Sequence, residues 1–176
     1  SAGDAAAAEE GYGAYLDQHP DDPLAAIARL ELARLCLAEG AADEARALLA
    51  PLATHPDPAV AERARFYEGG ALHLLGDHRG ARDRLTPFVG RTADPDETAT
   101  LLTTLAASAD ALGDAPGAVT SWDRLARAPV AEIDRQAARR RLADLVPTLP
   151  DDAVRALEPT LPKDGPAWAL LAPVAL

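Results

Sequence analysis

Apolar residues run along this chain in helical groupings broken by short polar turns, and the turns resemble one another. "LLGDHRGA" at 74–81 returns as "ALGDAPGA" at 111–118 and, more loosely, as "LAEGAADEA" at 37–45. No stretch alternates apolar and polar residues for long, as a half-buried strand would, and valine and isoleucine are few. The pattern predicts an all-α chain of about ten helices. They are expected at about 4–18, 22–39, 42–54, 58–75, 78–90, 95–112, 115–127, 130–146, 151–160 and 165–175.

Aligning the turns on Gly40, Gly76 and Gly113 gives spacings of 36 and 37 residues, within the period range of helical solenoids. Seven positions before each glycine stands a small residue, Ala33, Gly69 or Ala106, and five after it an alanine, Ala45, Ala81 or Ala118. Nine after it come Leu49, Leu85 and Trp122, and twelve after it Leu52, Phe88 and Leu125. Small residues at matched places let antiparallel helices cross closely, and the large ones fill the groove beside them.

The turns carry their own chemistry. Glycine closes a helix in the left-handed conformation without a Cβ penalty, and Asp77 and Asp114 stand ready to cap the helix that follows. Asp22-Pro23, Asp57-Pro58 and Asp94-Pro95 place a capping carboxylate before a proline that suits the first helical position. Pro51 and Pro87 share a repeat position near the ends of the second helices and are expected to bend them. Helix 4–18 reads as the lone second half of a preceding repeat, since "LDQHPDDPLA" at 16–25 echoes "LATHPDPAVA" at 52–61. The organisation expected is thus a half repeat, units at about 22–54, 58–90 and 95–127, and a helix at 130–146. Beyond residue 147 prolines crowd in, and 147–176 reads as a short-helix cap or the start of a downstream segment.

Composition narrows the function. Aromatics make up 4% of the 176 residues, so the core must be built from Ala and Leu. A formal net charge of −11 argues against a nucleic-acid partner, whose phosphates need a basic face. The chain has no asparagine and no methionine, and Lys163 is its only lysine, a bias typical of GC-rich coding. Cys36 has no second cysteine to pair with and falls in an apolar helical run, as a core residue would. No stretch approaches the roughly 20 apolar residues that span a bilayer. The opening "SAGDAAAAEE" and the closing "AWALLAPVAL" read as cut ends, so the chain is expected to be a domain of a larger protein.

No phosphate loop, nucleophile elbow or zinc-type Cys/His spacing is present, and neither a catalytic residue, a metal nor a cofactor is expected. His19 and His55 sit before prolines at helix ends, a place that suits a partly charged ring. His73 and His78 are five apart, which does not put them on one helix face. The basic run "RQAARRRLADL" at 135–145 reads as a solvated face whose arginines pair with acids such as Asp134 and Asp144, rather than a seat for an acidic partner.

The repeat columns over about 22–128, with a proline near the end of each unit, resemble the tetratricopeptide repeat (TPR). The usual Trp and Tyr of that family's first helix are absent, and the units run slightly long. The resemblance implies helix pairs stacked in a right-handed superhelix, with the inner faces of the first helices holding a protein or peptide. On that basis Ile27, Leu30, Arg34 and Leu37 line the groove in the first unit. Arg63, Phe66 and His73 do so in the second, and Thr100, Thr103 and Asp110 in the third. Arg34, Arg63 and His73 together would suit a carboxylate.

A narrower resemblance rests on "YGAYLDQHPDDPLAAIARLELARL", "EARALLAPLA" and "DGPAWALLA". These are similar to the helical N-terminal region of bacterial penicillin-binding-protein activator lipoproteins. That family implies a periplasmic or outer-membrane-anchored scaffold acting on a cell-wall synthase, with a receptor-like domain downstream. The alternative it leaves open is an accessory domain of a periplasmic solute receptor, with no partner of its own. The oligomeric state is left open.

Overall fold

The computed structural model describes residues 2–172, with side chains from Ala6 onward. Among them are ten α-helices, three 3-10 turns and no strand. The helices are α1 (Ala2–Gln18), α2 (Ala25–Glu39), α3 (Ala42–Leu49), α4 (Pro58–Leu74), α5 (His78–Leu85), α6 (Pro95–Ala111), α7 (Ala115–Arg127), α8 (Glu132–Leu145), α9 (Asp151–Leu157) and α10 (Pro166–Leu171). The last expected helix, drawn to 175, runs past the described residues. They form two compact units, one ending at Leu85 and one beginning at Thr86.

Each repeat turn is the same structure. Gly40, Gly76 and Gly113 have φ of 83°, 82° and 70°. In every copy the glycine N–H reaches back three residues, to Leu37, His73 or Asp110, at 3.0–3.2 Å. The next N–H reaches back five, to Cys36, Leu72 or Ala109, at 2.8–2.9 Å. This paired closure satisfies carbonyls that the helix end would otherwise leave without partners. Asp77 and Asp114 then accept the N–H of Gly80 and Gly117, both at 2.9 Å, opening α5 and α7.

The proline signatures hold at two starts of three. Asp57 accepts from Ala59, and Asp94 from Asp96 and Glu97, with Pro58 and Pro95 at the first helical position. The first copy differs. There Asp22 accepts the N–H of Leu24 at 2.8 Å, and α2 starts only at Ala25, with no side-chain cap. In this copy the carboxylate closes a turn ahead of the helix instead of capping it. Pro51 and Pro87 also act more sharply than a bend. The α-helix stops at Leu49 and Leu85, and Ala50–Leu52 and Thr86–Phe88 continue as 3-10 turns. A ring in place of an N–H ends the i to i−4 ladder, and the tighter turn takes over.

In the first unit α1 packs on α2, α2 on α3, and α4 on α2, α3 and α5. Ala33 and Ala45 are fully buried, with Leu49 and Leu52 beside them. Across the α4–α5 pair the fit is tightest at Gly69, where a Cβ would stand 2.5 Å from Leu85 Cγ. Removing a buried leucine such as Leu85 costs about 2–5 kcal/mol, against about 1 kcal/mol for a cap, so the columns outweigh the turns in holding the pair.

α1 departs from the columns. At the shared 36-residue offset Glu9 stands where the other second helices carry a buried alanine, and Gly13 where they carry Leu49, Leu85 or Trp122. None of its described residues is fully buried.

The second unit has one core. Ala106, Ala118, Trp122 and Leu125 from the third repeat share it with Leu142 of α8, Leu157 of α9 and Leu171 of α10. Both α9 and α10 pack on α7, and α10 also on α8, so the proline-rich stretch is integral to this unit. No described helix is long and apolar enough to cross a membrane.

Candidate functional site

The expected groove row divides by burial. On α2, Ile27 and Arg34 are exposed and Leu37 is half-buried, whereas Leu30 is core, 5% exposed. On α4, Arg63 is exposed and His73 half-buried, whereas Phe66 is core, 7% exposed. Leu30 and Phe66 are therefore corrected from groove to core. They hold the same repeat position, and packing of α4 on α2 takes both out of reach. In the second unit Thr100, Thr103 and Asp110 of α6 are placed at or near the surface, with Thr100, Thr103 and Asp110 all outside the buried set.

Exposed Arg34 and Arg63 and half-buried Leu37 are engaged locally. Arg34 Nε donates to Glu31 at 3.0 Å, one turn earlier on α2. The Arg63 guanidinium lies 5.6 Å from the Tyr67 ring centroid, a cation–π distance. Leu37 faces α4 at Gly70, where a Cβ would meet its Cδ1 at 3.7 Å. These contacts leave Ile27 and Arg34 exposed on one helix and Arg63 exposed on the helix packed against it.

His73 is brought against His78, with ring centroids 5.2 Å apart. Sequence spacing missed this because the Gly76 turn reverses the chain and folds the two helix ends together. Burial, and then the neighbouring His78, lower the His73 pKa below its ordinary 6.5. His78 Nδ1 is buried with no hydrogen-bond partner. No group of three or more metal-type ligands occurs among the described residues.

The basic run pairs with a different acid from those expected. Arg135 donates to Glu132 through Nε at 2.9 Å and also through Nη2, and Arg139 Nη1 lies 3.7 Å from the same carboxylate. Asp134 and Asp144 are not the partners of these two arginines. Positions 132, 135 and 139 share a helix face, and Glu132 in the first turn of α8 also suits the helix dipole. Hydrogen bonds from Arg135, and then Gln136, hold the Glu132 carboxyl below the ordinary carboxylate range.

Small residues at the helix crossings, a left-handed glycine and a repeat of 36 residues together define the first unit. Residues 1–87 match the tetratricopeptide repeat-like domain family. This half is a TPR-like helical domain, and the repeat resemblance carried by the sequence is shown for it. The match ends at residue 87, although the third copy repeats the same glycine turn, the same aspartate cap and the same buried alanine columns. No curated protein and no solved structure matches the chain.

Proposed function

We propose that the protein is a non-catalytic scaffold that holds another protein, with the row Ile27, Arg34, Leu37, Arg63 and His73 on α2 and α4 as a contact surface. Thr100, Thr103 and Asp110 on α6 form the corresponding row of the second unit. The observation that carries this reading is the threefold recurrence of one helix-turn-helix design, in a chain whose first half is TPR-like, a repeat class that often mediates protein interactions. Stacked pairs present neighbouring first helices side by side, a surface that suits an extended partner better than a small substrate.

The finer reading is a domain of a bacterial penicillin-binding-protein activator-like lipoprotein, held at the periplasmic face of the outer membrane and engaging a cell-wall synthase. It rests on the sequence resemblances at 12–35, 44–53 and 164–172. The test is affinity capture from bacterial envelope extract, comparing wild type with Arg34→Glu/Arg63→Glu. Both arginines are exposed, so the variant is expected to stay folded. Enrichment of a penicillin-binding synthase by wild type, lost in the variant, supports the reading. Equal capture by both moves the contact to another face. Capture of no synthase removes the activator role and favours an accessory domain of a solute receptor.

A further inference from the structure

The second unit contains a cleft of about 580 Å³ between the end of α7, one face of α8 and the start of α10. Arg127, Glu132, Arg135, Arg139, Asp164 and Gly165 are among its walls. That volume lies within the range typical of ligand sites. The surrounding sequence is the most basic in an acidic chain, with six arginines between 124 and 141 against Glu132 and Asp134.

One of the three guanidiniums is fixed in place. Arg127 Nε donates to Asp123 Oδ2 at 2.8 Å, its Nη2 lies 2.8 Å from the same oxygen, and the Asp123 side chain is 1% exposed. Asp123 Oδ1 in turn accepts the N–H of Ala167 at 3.0 Å. Arg127 is thereby held at the cleft wall by a buried carboxylate that is itself anchored, which lowers the ordering cost of binding. The other two arginines share one acid, since Arg135 and Arg139 both turn to Glu132.

We propose that this cleft binds a ligand carrying two or more carboxylates, and that Glu132 is a built-in competitor occupying the anion position until such a ligand displaces it. Arg127, Arg135 and Arg139 all line this cleft, and guanidinium forks match carboxylate geometry. Asp164 also lines the cleft, so a phosphate dianion, which concentrates two charges at one point, meets more repulsion there than carboxylates that spread single charges along a ligand. The cleft stands on its own geometry, whether or not the α2–α4 row holds a partner.

The test is titration of the full chain with three probes: fluorescein-labelled hexaglutamate, citrate and inorganic phosphate. It is run at low and high salt on wild type, Glu132→Gln and Arg135→Ala/Arg139→Ala, with folding checked by circular dichroism. Carboxylate binding is expected to tighten about tenfold in Glu132→Gln and to weaken about tenfold in the double variant. A merely structural Glu132 would not produce the gain. Hexaglutamate binding tighter than citrate identifies an acidic chain segment as the source of the carboxylates, and the reverse identifies a free polycarboxylate. Preference for phosphate over both overturns the ligand chemistry. Binding indifferent to the double variant overturns the location, and no binding by wild type or Glu132→Gln overturns the site. None of these failures bears on the envelope capture, which reads the α2–α4 surface separately.

Discussion

The carboxylate of Asp123, fully buried on α7, accepts the backbone N–H of Ala167, 44 positions further along the chain, at 3.0 Å. Ala167 is in the first turn of α10, where a backbone N–H has no acceptor within the helix. A side chain from a different element thus supplies the cap that α10 lacks locally, while Arg127 balances its charge. Close approach is possible because residue 165 is glycine. A Cβ there would lie 2.9 Å from Asp123 Oδ1.

Asp123→Ala is expected to cost about 2–3 kcal/mol, because it strands a buried N–H and leaves Arg127 without its acid. Arg127 is partly solvated, which keeps the figure below that of a fully buried pair. Asp123→Asn retains an acceptor and is expected to cost less. Urea unfolding gives the energies, and hydrogen exchange at α10 should rise in Asp123→Ala before the rest of the unit is affected.

Gly69→Ala sets two effects against each other. The helix gains about 1 kcal/mol of propensity, but the new methyl collides with Leu85, and overpacking of this kind costs about 1–3 kcal/mol. Net destabilisation is expected in the wild-type background. In a Leu85→Ala background the collision is gone, and the same substitution should become neutral or stabilising. A double-mutant cycle by chemical denaturation reads the coupling directly.

The three Asp-Pro starts are expected to differ in a set order. Asp94→Ala removes an acceptor used by two helix N–H groups and should cost about 1–2 kcal/mol, with Asp57→Ala, one bond, costing about 1 kcal/mol. Asp22→Ala removes a bond in a turn outside α2 and a surface hydrogen bond with Tyr15, but no helix cap, and should cost less than Asp94→Ala. Thermal or urea midpoints of the three single variants rank them.

His73 should make the first unit sensitive to mild acid. Its pKa is lowered in the folded state, so above 6.5 the group is neutral in both states and stability is complete. As pH falls through 6.5 the unfolded chain takes up a proton that the folded chain resists, and stability declines until the folded-state value is passed. Unfolding midpoints measured on either side of 6.5 should show this decline, and His73→Gln should flatten it within that window.

Cys36 should be slow to react. Burial, and then the nearby Glu44 carboxylate, push its thiol above the ordinary range, so little thiolate is present at neutral pH. Labelling by a thiol reagent is expected to be much slower in the native protein than in urea. Equal rates in the two would show that α2 opens readily at that point.

Local chemistry wrote the helix pairs into the sequence itself. A left-handed glycine, an aspartate two or three residues before the N–H it caps, and a proline at a first helical position act within one turn, so the one-dimensional chain carries them. The buried columns were legible for a related reason, because repetition at 36 and 37 residues turns a tertiary contact into a periodic sequence feature. What lay outside that periodicity was settled only in three dimensions. His73 met His78 because a turn folded one helix end over the next. Arg135 and Arg139 chose Glu132 over Asp134 and Asp144 by helix face. Asp123 found Ala167 through packing of α10 on α7. Each of these depends on which surfaces meet, and contacts between distant or non-repeating positions leave no spacing in the sequence from which to read them.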